Sequence, residues 1–153
     1  MIYTARLAHL EQPPKYSVGT IIKRGDVVGR MGDSGAADGA HLHLDVVRGM
    51  QTGRYTLGDL ALGKPEADAK QATLFIDDEL FGVLPLITTY YADPRYYKKY
   101  AKFHYGYDVV PEDRLYSQKH FDIHWNRSMP GRVTKVYIND PGYGNCIQIA
   151  FEI

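Results

Sequence analysis

The chain has 153 residues, enough for one domain with its own hydrophobic core. Lys plus Arg and Asp plus Glu each number 18; this balance argues against a nucleic-acid binder that works by bulk phosphate neutralisation and leaves a peptide or wall polymer open as substrate. Cys146 is the only cysteine, so no intramolecular disulfide or thiolate zinc cluster can form, and any metal must be held by His, Asp or Glu.

Residues 1–6 carry neither a basic n-region nor an apolar h-region, so no secretory signal is expected there. No apolar run reaches membrane-spanning length, and the expectation is a soluble protein. Residues 17–32 read as short strands joined by tight, glycine-bearing turns, and residues 41–47 as a further strand. Residues 56–72 look like an irregular or partly helical connector. Residues 90–107 are dense in tyrosine: Tyr90, Tyr91, Tyr96, Tyr97, Tyr100, Tyr105 and Tyr107. Residues 131–138 alternate as a strand does, 139–145 form a dense turn signal, and 146–153 read as another strand. There is no internal repeat. The expected class is mainly β, with a little helix in the centre.

Chemistry concentrates in two places. Gly39-Ala40-His41-Leu42-His43-Leu44-Asp45 holds an H-x-H pair behind a glycine-rich approach. On a strand, i and i+2 point to one face, so one imidazole can bind a metal while the other does proton chemistry. His104-Tyr105-Gly106-Tyr107-Asp108 holds an H-x-x-x-D pair whose even separation suits one strand face, and Gly106, Val109 and Val110 favour strand over helix. Tyr105 and Tyr107 would then face away from His104 and Asp108. Asp45 reads either as a partner orienting a histidine or as a solvated strand residue. His120, Asp122 and His124 also alternate and form a rival ligand set; the plain reading of that stretch is a solvated strand or a groove wall. Tyr116 and Trp125 beside it are candidates for lining a substrate groove, with His120 and His124. Cys146 reads as a small buried strand residue.

The flanks of these motifs resemble the lysostaphin/LytM-like zinc endopeptidases of peptidoglycan. The run from Val18-Gly19 through Lys23-Arg24-Gly25-Asp26-Val27-Val28-Gly29 and Gly32-Asp33-Ser34-Gly35 to Gly39-Ala40-His41-Leu42-His43 looks like the second half of that domain. Ala8-His9-Leu10 resembles its Tyr-Ala-His-Leu motif, with Leu7 in place of the tyrosine. His104-Tyr105-Gly106-Tyr107-Asp108 resembles its first motif, and residues 131–133 and 144–149 its following strands. The halves stand in reversed order, which reads as a circular permutation within a single peptidase domain, 1–153. Residues 1–48 correspond to the family's C-terminal half, 49–86 are a connector, and 87–153 correspond to its N-terminal half. The strand ending at Ile153 should pair antiparallel with residues 2–8, closing the gap where a hairpin tip would be. A second departure is an insertion of about eight residues before Gly131, containing the rival alternation.

The resemblance implies an antiparallel β-sheet core and one Zn2+ per chain on His104, Asp108 and His43. It implies His41 as general base and His9 as the group that meets the oxyanion or helps the leaving amine. The implied substrate is the peptide of bacterial peptidoglycan, in stems or crosslinks, with no nucleic acid and no membrane insertion. A small permuted domain without a signal suits a phage tail or lysis protein, carried on the virion with tail partners or released to the host wall. Two other readings stand beside this one. A non-catalytic wall-binding or tail structural module could keep the fold, though such modules usually lose a ligand. A cupin-like metal enzyme would match Gly35 six residues before His41, but no Glu follows His43 at cupin spacing and no second histidine box is evident.

Overall fold

The structure, a computed structural model, describes residues 1–57, 64–112 and 121–153. Strands β1 (Ile2–Leu10), β2 (Ile21–Ile22), β3 (Val27–Arg30) and β4 (Leu42–Arg48) come first. Helices α1 (Ala69–Thr73) and α2 (Asp78–Phe81), strand β5 (Pro85–Thr89) and helix α3 (Pro94–Tyr100) fill the middle. Strands β6 (Tyr107–Pro111), β7 (Asp122–His124), β8 (Gly131–Asp140) and β9 (Gly144–Glu152) complete the order. The described residues form a seven-stranded sheet, ordered β2-β8-β9-β1-β4-β6-β5, and a two-stranded sheet of β3 and β7. All pairings are antiparallel, so the fold is mainly β with a few short helices. No helix among the described residues is long and apolar enough to cross a membrane.

The two ends of the chain share one ladder. β1 and β9 pair from Ile2 opposite Glu152 to Leu10 opposite Asn145. Met1 and Ile153 exchange hydrogen bonds of 2.8 and 2.9 Å between their terminal backbone groups. Both strands lie mid-sheet, and both are buried almost throughout.

Period-2 alternation sorts the side chains of the large sheet. One face carries Tyr3, Ala5, Leu7, Leu42, Leu44, Val46, Val109, Ile147, Ile149 and Phe151, all in the main apolar cluster. The connector covers this face: Ala72, Phe75, Leu80 and Phe81 belong to the same cluster. Trp125 packs edge-on to Phe75 and Phe151, at 5.2 and 5.6 Å between ring centres. The connector helices are short but capped. Asp68 accepts from the Gln71 N–H and Asp77 from the Glu79 N–H, each satisfying an otherwise orphaned donor.

The expected strands over 17–32, 41–47, 131–138 and 146–153 correspond to β2 and β3, β4, β8 and β9. One reading needs correction. His104 is not on the strand with Asp108, because β6 begins only at Tyr107. The preceding turn brings His104 to Asp108 from outside the ladder.

Candidate metal centre

The second face of the large sheet holds the chemistry. With Leu42, Leu44 and Val46 in the core, His43 and Asp45 must point the other way. The β4–β6 register sets His43 opposite Asp108, and the β1–β4 register sets Arg6 opposite Asp45. A line of polar side chains therefore crosses three adjacent strands.

Asp108 is the meeting point. Its Oδ1 lies 3.1 Å from His43 Nδ1, 3.4 Å from His104 Nε2 and 3.6 Å from His41 Nε2. Donor atoms of His43, His104 and Asp108 all lie within 4.8 Å of one another, so this group could hold a metal ion. Two tests of fit succeed. Ligands about 2.0–2.1 Å from a tetrahedral Zn2+ stand ~3.3 Å apart, close to the two contacts at Asp108. The distal nitrogens are also engaged elsewhere. His104 Nδ1–H donates to the Tyr90 carbonyl at 3.1 Å, and His43 Nε2 meets Asp45 Oδ2 at 2.9 Å. Each ring thus turns its other nitrogen toward Asp108, the arrangement that metal-binding histidines favour.

Gly106 explains part of the H-x-G-x-D spacing. A Cβ there would come within 2.5 Å of the Leu44 carbonyl oxygen and 3.1 Å of His43 Cε1. The turn carrying His104 can lie flat against β4 only without a side chain at this position.

His9 reaches the site through a bulge. Tyr3, Ala5 and Leu7 face the core, and then so does Leu10, so the alternation changes parity between them. His9 absorbs the change with φ of 65°, a conformation that costs energy for a residue other than glycine. Its N–H donates to the Tyr143 carbonyl at 2.9 Å, and its Nδ1–H to the Ser34 carbonyl at 2.7 Å. The Ser34 hydroxyl donates to the Leu10 carbonyl and accepts from the Asn145 N–H, which locks residues 32–39 over the bulge. Gly35 and Gly144 pass so closely that a Cβ on Gly35 would sit 2.3 Å from the Gly144 nitrogen. His41 Nδ1–H donates to the Gly39 carbonyl at 3.1 Å. His9 and His41 rings are 4.9 Å apart.

The electrostatics separate these histidines. Burial pushes His9 down to about 4, outweighing the Ser34 carbonyl. It is a neutral imidazole at pH 7, with the Nε2 lone pair free. Burial also opposes charge on His43, but hydrogen bonds to Asp108 and Asp45 prevail and raise it to about 9. Asp108 resists burial in the same way: hydrogen bonds from His104 and His43 hold its carboxyl far below the ordinary range. Asp45 is buried too, and the adjacent Arg6 charge keeps it ionised. Burial raises the Cys146 thiol, in keeping with its inert place in the strand.

The site opens into a cleft of about 780 Å³ lined by His9, His41, His43, His104 and Asp108. Its other wall includes Thr88, Tyr96, Lys99 and Tyr100. Tyr96 packs on the His104 ring at 4.6 Å between centres, and the Tyr100 hydroxyl donates to Asp38 at 2.9 Å across the mouth. The tyrosine density of residues 90–107 does not by itself place this wall. The available signal was Asp93-Pro94, an N-cap followed by proline at the first helical position, which starts α3.

The expected groove residues fare differently. Trp125 is a correction: it is 1% exposed, and its indole N–H donates to the Met129 carbonyl, so it belongs to the core and not to a groove wall. His124 does not line this cleft; its Nδ1–H donates to the Leu80 carbonyl at 3.2 Å. Asp122 pairs with Arg30 at 3.0 Å on the small sheet. Tyr116 and His120 lie outside the described residues. Comparison of the chain with known protein families, with curated proteins and with solved structures finds no match.

Proposed function

We propose that the chain is a zinc-dependent endopeptidase acting on the peptide of bacterial peptidoglycan, a circularly permuted relative of the lysostaphin/LytM-like enzymes. The observation that carries this reading is the convergence on Asp108 of His43, His104 and His41, with His9 on the same cleft. The order of the motifs supports the permutation, as does the β1–β9 ladder that sets Met1 beside Ile153.

His43 Nδ1, His104 Nε2 and Asp108 are the residues that would hold the ion. Zn2+ held there supplies Lewis acidity to a scissile carbonyl and lowers the pKa of a water from ~15.7 to roughly 7. His41 is anchored through Nδ1–H on the Gly39 carbonyl, so its Nε2 lone pair can take the proton of the attacking water. His9 is anchored the same way on Ser34. In its neutral form it offers a lone pair, not a proton. The one proton that His41 takes from the attacking water is the proton the leaving amine receives, and the His9 Nε2 lone pair can accept a hydrogen bond from the water or the amine. Tyr96 and Tyr100 give the cleft amphipathic walls suited to a peptide.

The test is Zn2+-loaded protein incubated with purified peptidoglycan, read as new free amines, beside a chelated sample. Chelator-sensitive release is the expected result. Zn2+ binding without release on several wall types would instead favour a non-catalytic wall-binding or tail module.

A further inference from the structure

Behind the proposed ligand His43 lies a closed polar chain that takes no part in the steps above. Asp45 is fully buried and Arg6 is 1% exposed. Asp45 Oδ2 accepts from Arg6 Nε at 3.0 Å and from His43 Nε2 at 2.9 Å, and Arg6 Nη2 lies 3.0 Å from the same oxygen in the ion pair. Its Oδ1 accepts from the Tyr55 hydroxyl at 3.0 Å. The Arg6 guanidinium lies 4.1 Å from each of the Tyr55 and Tyr143 ring centres, sandwiched between them, and also donates to the Tyr55 carbonyl at 2.9 Å. A buried ion pair is weak evidence of stability, because desolvation offsets most of the attraction. A buried pair with every polar atom engaged and one carboxylate oxygen turned to a ligand calls for another explanation.

We infer that the Arg6–Asp45 pair positions His43, fixing Nδ1 as its ligand nitrogen. An ionised carboxylate accepts hydrogen bonds and cannot donate them. The His43 nitrogen that faces the buried Asp45 must therefore carry a proton, so a cation at Asp108 can take the place only of the proton on Nδ1, the nitrogen that faces Asp108 and the cleft. Arg6 makes this assignment firm. Its guanidinium, held between the two tyrosine rings, sits on Oδ2 while the Tyr55 hydroxyl holds Oδ1, so the carboxylate is fixed at both oxygens. Arg6 and Asp45 are positioning residues: neither lines the cleft. The inference rests on the metal-site part of the proposed function and not on the identity of the substrate.

The experiment compares wild type, Asp45→Asn, Tyr55→Phe and the double variant Arg6→Met/Asp45→Leu. Zn2+ affinity is read by competition with a chromophoric chelator, folding by thermal melting, and His43 by ¹⁵N–¹H correlation in the metal-free and Zn2+-loaded protein. The double variant removes both charges together, so the fold survives as buried ion pairs replaced by apolar side chains usually allow. Its Zn2+ affinity should nevertheless fall roughly 10–100-fold, the usual effect of losing the partner behind a ligand. Asp45→Asn should fall in the same range, and Tyr55→Phe by a few-fold. Wild-type spectra should show a protonated, slowly exchanging Nε2 in both states, with the metal shift on Nδ1. A well-folded double variant that binds Zn2+ as wild type does would reduce the pair to a structural role and overturn the inference. A metal shift on Nε2, or a freely exchanging Nε2 proton, would overturn it without any variant. If wild type bound no Zn2+ yet kept the protected Nε2 proton, the metal reading would fall while the orientation of His43 by Asp45 stood.

Discussion

Residues 41–45 and residues 122–124 look alike as text: each alternates histidine and aspartate on one strand face. In the fold, the first stretch lies on an inner strand, between β1 and β6, and its His43 and Asp45 find Asp108 and Arg6 waiting at matching register. The second lies on a two-stranded ribbon, where Asp122 meets Arg30 and His124 meets a backbone carbonyl. Alternation puts side chains on one face; neighbouring strands decide whether those side chains converge. This metal centre draws its donors from two segments, and it is the β4–β6 register, which a single strand does not carry, that sets His43 opposite Asp108.

The sharpest way to break this contrast is to remove one aspartate from each stretch. Asp108→Ala should abolish stoichiometric Zn2+ binding in a chelator competition, a larger loss than the roughly 10–100-fold expected of a supporting partner. Asp122→Ala should leave Zn2+ affinity within about two-fold, since Asp122 and its partner Arg30 are 40% and 55% exposed and such pairs contribute only ~0–1 kcal/mol. Reversed results would hand the site to the rival alternation. Next in size is the division within the H-x-H pair. His43→Ala should lose both Zn2+ and activity. His41→Ala should keep Zn2+ and lose roughly 10²–10⁴-fold in peptidoglycan hydrolysis, the usual share of a general base.

Two smaller effects sharpen the same contrast. Gly106→Ala should destabilise the fold by ~1–3 kcal/mol, the common range for overpacking, and weaken Zn2+ binding, because the new methyl meets the Leu44 carbonyl and His43. Gly53→Ala, with open space around it, should leave Zn2+ binding unchanged. The pH dependence of stability should also report on His9. Its pKa falls from an ordinary 6.5 to about 4 in the fold, so between those values the unfolded chain binds more protons. Stability is complete above 6.5 and declines as pH drops toward 4, by at most ~3 kcal/mol from linkage. His9→Asn tolerates the left-handed backbone and should flatten that slope in denaturant titrations. A slope unchanged in the variant would locate it elsewhere.

Much of the large sheet was legible in advance. The alternation of residues 131–138 and 146–153, with the turn between them, marks β8 and β9. The reversed order of motifs foretells the pairing of residues 2–8 with the strand ending at Ile153. The ligand group His43, His104 and Asp108 was readable only through resemblance. Its geometry came partly from a turn, where a strand was expected. Asp45 was undecidable from β4 alone, because its burial comes from Arg6 on β1 and from Tyr55. Trp125 reads as a groove wall because a large aromatic near a polar stretch looks like one, yet an indole whose N–H finds a carbonyl packs readily inside. The parity change at His9 left no trace beyond the position itself, because a bulge on a non-glycine residue has no composition signal.

The central claim is one metal centre built by register across β4 and β6. A zinc-edge anomalous difference map from crystals grown with one equivalent of Zn2+ tests it most directly. The account predicts a single strong peak bounded by His43 Nδ1, His104 Nε2 and Asp108 Oδ1. A peak between Asp122 and His124, or none in the cleft at full occupancy of the added metal, would contradict it.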